Sequence, residues 1–441
     1  MDIEVLDQFY SIDSTSEWDY SSWSDAMGWP TVVEIFGGRL FWGRGDTMFG
    51  SVSDQYRSFD DQVIGDSAPI IRSLNSRGYD GVRWLLALQR LIAGTDVSEV
   101  SVRSSAFDEP LTALNWHPLD ASTQGGADIR AVKSDKDGIF VTAAGRSVYR
   151  AAWNQNEGDY SSADLTALHQ DIFGSASIVA IAIQRKPDSI IWFALSDGGC
   201  RALTYEPSEN VIAWSSLKTD GNILDVSVAR GSTEDSVYFK IDRNGSAGIE
   251  KLSQLRDCRG GNLNCLADAF TKFSGAPTTV FSVPHLDGRD VTVWADGAAV
   301  HDQGNLYTVS GGQVTLAAAA SDVVIGLPYI GDYVSTKLAY GAALGTAMFQ
   351  KKRVSALGLY FVDTILDGVR VGRDAANLFA FTTTKDDGPI TPGELQSEFD
   401  GPMMDFAGDW DTDSRIHVKM QSPYPCTVAA LAMQVKTNDK G

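Results

Sequence analysis

Three carboxylates at alternate positions in Asp409-Trp410-Asp411-Thr412-Asp413 form a local oxygen-donor pattern of the kind a calcium loop uses. A twelve-residue calcium loop would then need glycine after the third acid and glutamate at the twelfth position. Ser414 and Met420 stand there, so a solvated acidic loop is the better reading. The triad closes a longer run, 386–413, that holds nine acids and no base: Asp386, Asp387, Glu394, Glu398, Asp400, Asp405, Asp409, Asp411 and Asp413. Such a run repels polyanions, and these nine acids are the candidate site residues of the chain.

Other chemistry is thin. Cys258 and Cys265 could pair or hold half a zinc site, but no second pair follows at metal-finger spacing, which leaves free thiols as the expectation. The five histidines (His117, His169, His285, His301, His417) each fall in a different element, as packed or surface imidazoles do. The chain has no zinc-protease pair, no nucleophile elbow, no phosphate loop and no dinucleotide fingerprint. Among 57 acids many pairs could serve a glycosidase, and none is singled out. No catalytic residue, cofactor site or metal site is assigned.

Composition explains why. The 441 residues carry 36 Lys+Arg against 57 Asp+Glu, a formal charge of −21. A nucleic-acid binder needs clustered bases to displace counterions. The compact basic cluster here is Lys351-Lys352-Arg353 alone. The first 38 residues hold eight acids and no base, unlike a secretory leader, and no apolar run approaches the ~20 residues that span a bilayer. With four cysteines, the expectation is a soluble protein made in a cytoplasm.

The elements that must position these residues read as β. Apolar triplets recur at Leu40-Phe41-Trp42, Leu91-Ile92-Ala93, Ile139-Phe140-Val141, Ile191-Trp192-Phe193 and Val237-Tyr238-Phe239, about 50 residues apart. Turns such as Gly94-Thr95-Asp96, Asp197-Gly198-Gly199 and Asp242-Arg243-Asn244-Gly245 lead from these into second strands. A multi-stranded repeat of this length suggests a propeller-like ring of about five blades, although the Trp-Asp and kelch fingerprints are absent. Short helices are expected at Ser162–Leu168 and Asn262–Phe270. The predicted layout is mainly β: an acidic arm (1–30), a propeller-like platform of repeated hairpins (31–275), a small barrel or sandwich (276–350), and a C-terminal β region packing back on the platform (351–441). The run 386–413 is expected to be a loop.

In order along the chain, Trp23 to Pro30, Gly38-Arg39-Leu40-Phe41-Trp42-Gly43, Ser51 to Phe59, Lys186-Pro187-Asp188-Ser189-Ile190-Ile191-Trp192, Val211-Ile212-Ala213-Trp214, His285-Leu286-Asp287-Gly288, Gly326-Leu327-Pro328-Tyr329 and Pro423-Tyr424-Pro425 resemble the tail nozzle proteins of short-tailed bacteriophages, the tail tubular protein B family. The likeness spans roughly residues 23–435, and it rests on shared order rather than on one motif. It implies a non-enzymatic virion protein: a hexameric ring below the head–tail adaptor, bearing fibres or receptor-binding proteins and passing DNA through its lumen without specific binding, with the nine acids of 386–413 as the candidate channel lining. Assembly would begin in the host cytoplasm. Competing readings are a propeller-type glycan hydrolase or depolymerase from a phage, and a monomeric protein-binding propeller.

Overall fold

The computed structural model describes residues 22–74, 81–104, 109–338, 341–342, 345–381, 384–385 and 388–437. The chain is mainly β: the described residues form many small antiparallel sheets joined by turns and short 3-10 segments, with no α-helix among them. It divides into two compact units, Met1–Glu250 and Lys251–Gly441.

The first unit holds five successive sheets, each ordered as in the sequence. They run from Val32–Phe36 to Ile70–Ser73, Val82–Ala87 to His117–Ser122, Val132–Ser134 to Asp159–Asp164, Ile178–Gln184 to Val211–Leu217, and Asn222–Ala229 to Ser246–Lys251. Each of the five apolar triplets lies in the second strand of its sheet. In the second, third and fourth sheets those strands are buried on consecutive residues because both of their faces are covered, whereas in Arg39–Arg44 and Ser236–Arg243 buried residues alternate with more open ones. In the second sheet, Leu85, Leu91 and Val100 share a core with Phe41, Met48 and Ile70 of the first. Trp84, Leu86 and Ile92 instead meet Phe140, Ala151 and Tyr160 of the third. Ile139, Val141 and Val148 then pack with Ile191, Phe193 and Leu203 of the fourth. Trp192 meets Phe239 of the fifth edge-on at 5.7 Å.

The expected hairpins form. Asn244 (φ 55°) and Gly245 (φ 84°) supply the two positive-φ positions of a tight turn between Ser236–Arg243 and Ser246–Lys251.

Both expected helices are overturned. Asp159–Asp164 pairs instead with Val148–Asn154, and Asp164 ends the strand by accepting the Thr166 N–H at 2.7 Å. Leu165 then enters the core, while Leu168 is 92% exposed, so the apolar spacing reflects no helical face. At the second site, Asn264 is fully buried and donates to Pro423 O at 2.6 Å, and Asp268–Ser282 is a long strand.

That strand also contradicts a domain boundary at 275/276, because residues on both sides of it pair with Gln313–Leu327. These two 15-residue strands curl through three register shifts. With Asp290–Ala295 they enclose a core of Val283, Val291, Val293, Val314 and Ile325.

Residues 330–334, expected in the small domain, pair with His417–Gln421. The described remainder of the second unit is two larger sheets over one core, with two two-stranded ribbons, Gly341–Ala342 with Gly345–Thr346 and Thr384–Lys385 with Gly388–Pro389. One sheet contains His417–Gln421 and Val369–Asp374. The other centres on Lys352–Thr364, with Thr427–Thr437 on one side and Gln396–Asp400 and Met404–Asp405 on the other. Phe361, Phe399, Phe406, Val371 and Val418 lie between them. The expected acidic loop is therefore partly strand.

Candidate functional site: the acidic face of the C-terminal unit

The strand Gln396–Asp400 turns Phe399 into the core and leaves Glu398 and Asp400 exposed, two residues apart and on one face. Register places Glu398 opposite Val362, Asp400 opposite Tyr360 and Asp405 opposite Ala356. All three carboxylates thus stand on the solvent face of one small sheet, away from Leu357, Leu359 and Phe361. The Tyr360 hydroxyl donates to Glu398. That bond, followed by desolvation and the charges of Glu398 and Asp400, holds the phenol above its usual ionisation range.

The other expected acids do not join this face as a set. Glu394 is exposed in the preceding turn, where its N–H donates to Thr391 O at 3.1 Å. Asp409 pairs with Arg373, and Asp413 with Arg415 at 3.0 Å. Asp411 accepts the Asp413 N–H at 3.3 Å, and backbone N–H groups of Asp413 and Thr412 hold its carboxyl below the usual range. The three alternate carboxylates take separate partners. Among the described residues, no group of three His, Cys, Asp or Glu side chains has metal-binding geometry. Asp386 and Asp387 lie outside the described residues.

What shapes the 409–414 turn is the middle residue of the one compact basic cluster, Lys351-Lys352-Arg353. Lys352 is fully buried, whereas Lys351 and Arg353 on either side are exposed. Its backbone exchanges both bonds with Asp411, at 2.9 and 3.0 Å. Its ammonium donates to Thr412 O at 2.7 Å, and Ser414 Oγ donates to Lys352 O at 2.8 Å. Burial, followed by the nearby Lys337 charge, lowers its pKa from the ordinary lysine value. The alternation Lys-Lys-Arg on a strand was the available signal, since the middle residue must face opposite its neighbours.

The histidines stay apart. His285 contacts Ala269 O, His301 contacts the Tyr424 hydroxyl, and His417 contacts Asp332. Cys258 and Cys265 share a small core with Trp294, Val324 and Ile365. Burial pushes the Cys258 and Cys426 thiols up to about 11 and Cys200 to about 12.

The most deeply buried described carboxyl lies in the other unit. Glu99 is 1% exposed, and burial raises its pKa against hydrogen bonds from Ser122 Oγ and the Gln124 N–H. Tyr149 of the third sheet also feels its charge. The folded state holds this proton more tightly than the unfolded chain does. Its stabilising share is therefore full below the usual glutamate value of 4.5 and is lost as pH rises through the folded value. Glu99→Gln is expected to exceed the wild type in stability at about pH 8 and to lose that advantage by about pH 4, with about 1.4 kcal/mol for every tenfold weakening of the acid. Parallel pH profiles for the two proteins would contradict this.

No family model matches the chain, and no curated protein matches it. Among solved structures, a luciferin-regenerating enzyme is similar at 14% identity over 49% of this chain and 74% of its own, with a TM-score of 0.29. Raptor of Chaetomium thermophilum is similar at 9% identity over 67% of this chain and 27% of its own, with a TM-score of 0.28. Likenesses this distant bear on neither fold nor function. No helix among the described residues is long and apolar enough to cross a membrane.

Proposed function

We propose that the chain is a structural subunit of a bacteriophage tail, a nozzle that assembles with copies of itself below the head–tail adaptor and conducts the genome. In this reading the five successive sheets form a propeller-like platform, and the outer surface docks fibres or receptor-binding proteins. The observation that carries the reading is the solvent-facing row of Glu398, Asp400 and Asp405 on a sheet whose other side is core. Six copies would multiply a formal charge of −21 sixfold. An acidic wall holds DNA off over a range of about 8 Å at physiological salt, so the polymer slides without sticking. The resemblance to tail nozzle proteins supplies the partners, and the sequence offers no catalytic constellation against it.

The test is a phage carrying Glu398→Lys, Asp400→Lys and Asp405→Lys together. Virions are expected to assemble and then eject DNA several-fold more slowly, most clearly at low salt. Ejection at the wild-type rate, with the chain located in the tail by imaging, would remove the channel role of this face. Cleavage of a bacterial surface glycan by the purified chain would replace the conduit with the hydrolase reading.

A further inference from the structure

The interface between the second and third sheets contains three buried polar atoms with no hydrogen-bond partner among the described residues: Trp84 Nε1, Glu99 Oε1 and Ser101 Oγ. Their residues are 2%, 1% and 0% exposed. Unsatisfied buried polar atoms are rare, and each calls for a partner.

Register brings the three together. Trp84 stands opposite Gly94, and Gly94 stands opposite Glu99, so the three form one cross-strand row. Ser101, two residues beyond Glu99 and opposite Ile92, shares its face. That face is the one that packs on Phe140, Ala151 and Tyr160. The glycine in the middle of the row makes the space. A Cβ on Gly94 would lie 2.0 Å from Trp84 Cε2 and 2.4 Å from Nε1. From the other side, a Cβ on Gly126 would lie 2.3 Å from the same nitrogen. The indole therefore lies across Gly94 towards the Glu99 strand, with its N–H edge between two bare backbones. Glu99 is fixed on its other oxygen by Ser122 Oγ and by the N–H of Gln124, two residues before Gly126.

We propose that the second and third sheets enclose an internal hydration site, in which ordered water bridges Trp84 Nε1, Glu99 Oε1 and Ser101 Oγ. One donor, one acceptor and one hydroxyl that can do either match the two to four partners a buried water requires. Trp84 Nε1 and Glu99 Oε1 do not bond each other, and groups beyond direct reach are joined at little cost by a water between them. The raised pKa of Glu99 fits this site, since a neutral carboxyl can serve a water on one oxygen and Ser122 on the other. The inference stands independently of the proposed function.

The experiment is a crystal structure of the intact chain at a resolution that shows ordered solvent, paired with nuclear magnetic resonance of indole-labelled protein. Solvent density within hydrogen-bond distance of Trp84 Nε1 and Glu99 Oε1 is expected, together with a cross-peak from the Trp84 indole proton to long-lived water. Glu99→Gln should keep both signals, because the amide oxygen can take the Gln124 N–H while the NH2 in the place of Oε1 donates to the water. Glu99→Leu should lose both, and should that variant not fold, Ser101→Ala should weaken the cross-peak by shortening the water's residence. A direct Trp84–Glu99 hydrogen bond, a dry interface, or an indole cross-peak indifferent to Glu99→Leu and Ser101→Ala would overturn the proposal.

Discussion

Replacing Arg39 by alanine is expected to remove about 3 kcal/mol or more from the stability of the first unit. Arg39 is 2% exposed, and its guanidinium donates to backbone carbonyls: Ser51 O at 2.6 Å, Asp66 O at 2.5 Å and Ala68 O at 2.7 Å. One planar fork thus ties both ends of the 51–68 segment to the first sheet. Truncation strands three carbonyls together, and a buried acceptor left unmade costs about 1–3 kcal/mol. Arg39→Lys should recover only part of the loss, because an ammonium on a flexible stem cannot reproduce the fork. Denaturant unfolding, with limited proteolysis reporting on 51–68, checks this. A variant within about 0.5 kcal/mol of the wild type, and no more easily nicked, would show that the segment is held by other contacts.

Phe361→Ala should cost about 3–5 kcal/mol in the second unit, the usual range for a large ring deleted from a core. Phe361 is fully buried, 5.2 Å from the Phe381 ring and 6.1 Å from Phe399, and those two rings lie 5.8 Å apart. The three make a closed set of mostly edge-to-face contacts at the centre of the two-sheet core, so its neighbours cannot collapse into the hole without breaking their own geometry. Phe361 also sits in the strand that carries the opposing Glu398 and Asp400 strand. Loss of the ring should therefore loosen the acidic face as well as lower the unfolding midpoint of this unit. Retention of the wild-type midpoint would mean that the core relaxes far more than its packing suggests.

How far the sequence could be read depended on what each pattern excludes. The triplets at 91–93, 139–141 and 191–193 were legible because a strand covered on both faces leaves an uninterrupted apolar run. Asn244-Gly245 was legible because few residues other than Asn and Gly tolerate its backbone angles. The segment 162–168 misled, since seven residues of mixed polarity fit a short helix and a strand end equally well, and pairing with Val148–Asn154 decided between them. Gly275 and Pro277 hid the long strand 268–282. Glycine and proline ordinarily interrupt a strand, yet Pro277 sits at a register shift, between the Ser274 and Thr278 pairings, where no ladder hydrogen bond is demanded of it. Lys352, Arg39 and Glu99 were least legible, because charged residues are surface residues by default and only the finished backbone supplies the carbonyls and N–H groups that hold them inside. Of the nine acids in 386–413, strand alternation could have grouped Glu398 with Asp400. Nothing local could have paired Asp409 with Arg373.

The way successive sheets of the first unit share their faces also orders how it comes apart. The second and third sheets each lend one face to either neighbour, so opening one of them strips two others of their cover. The first and fifth sheets stand at the ends of this succession and can fray singly. Slow amide exchange should therefore concentrate in Leu91–Thr95 and Asp137–Val141, the middle strands of the stack, and fade towards the end sheets, as one cooperative block with looser margins.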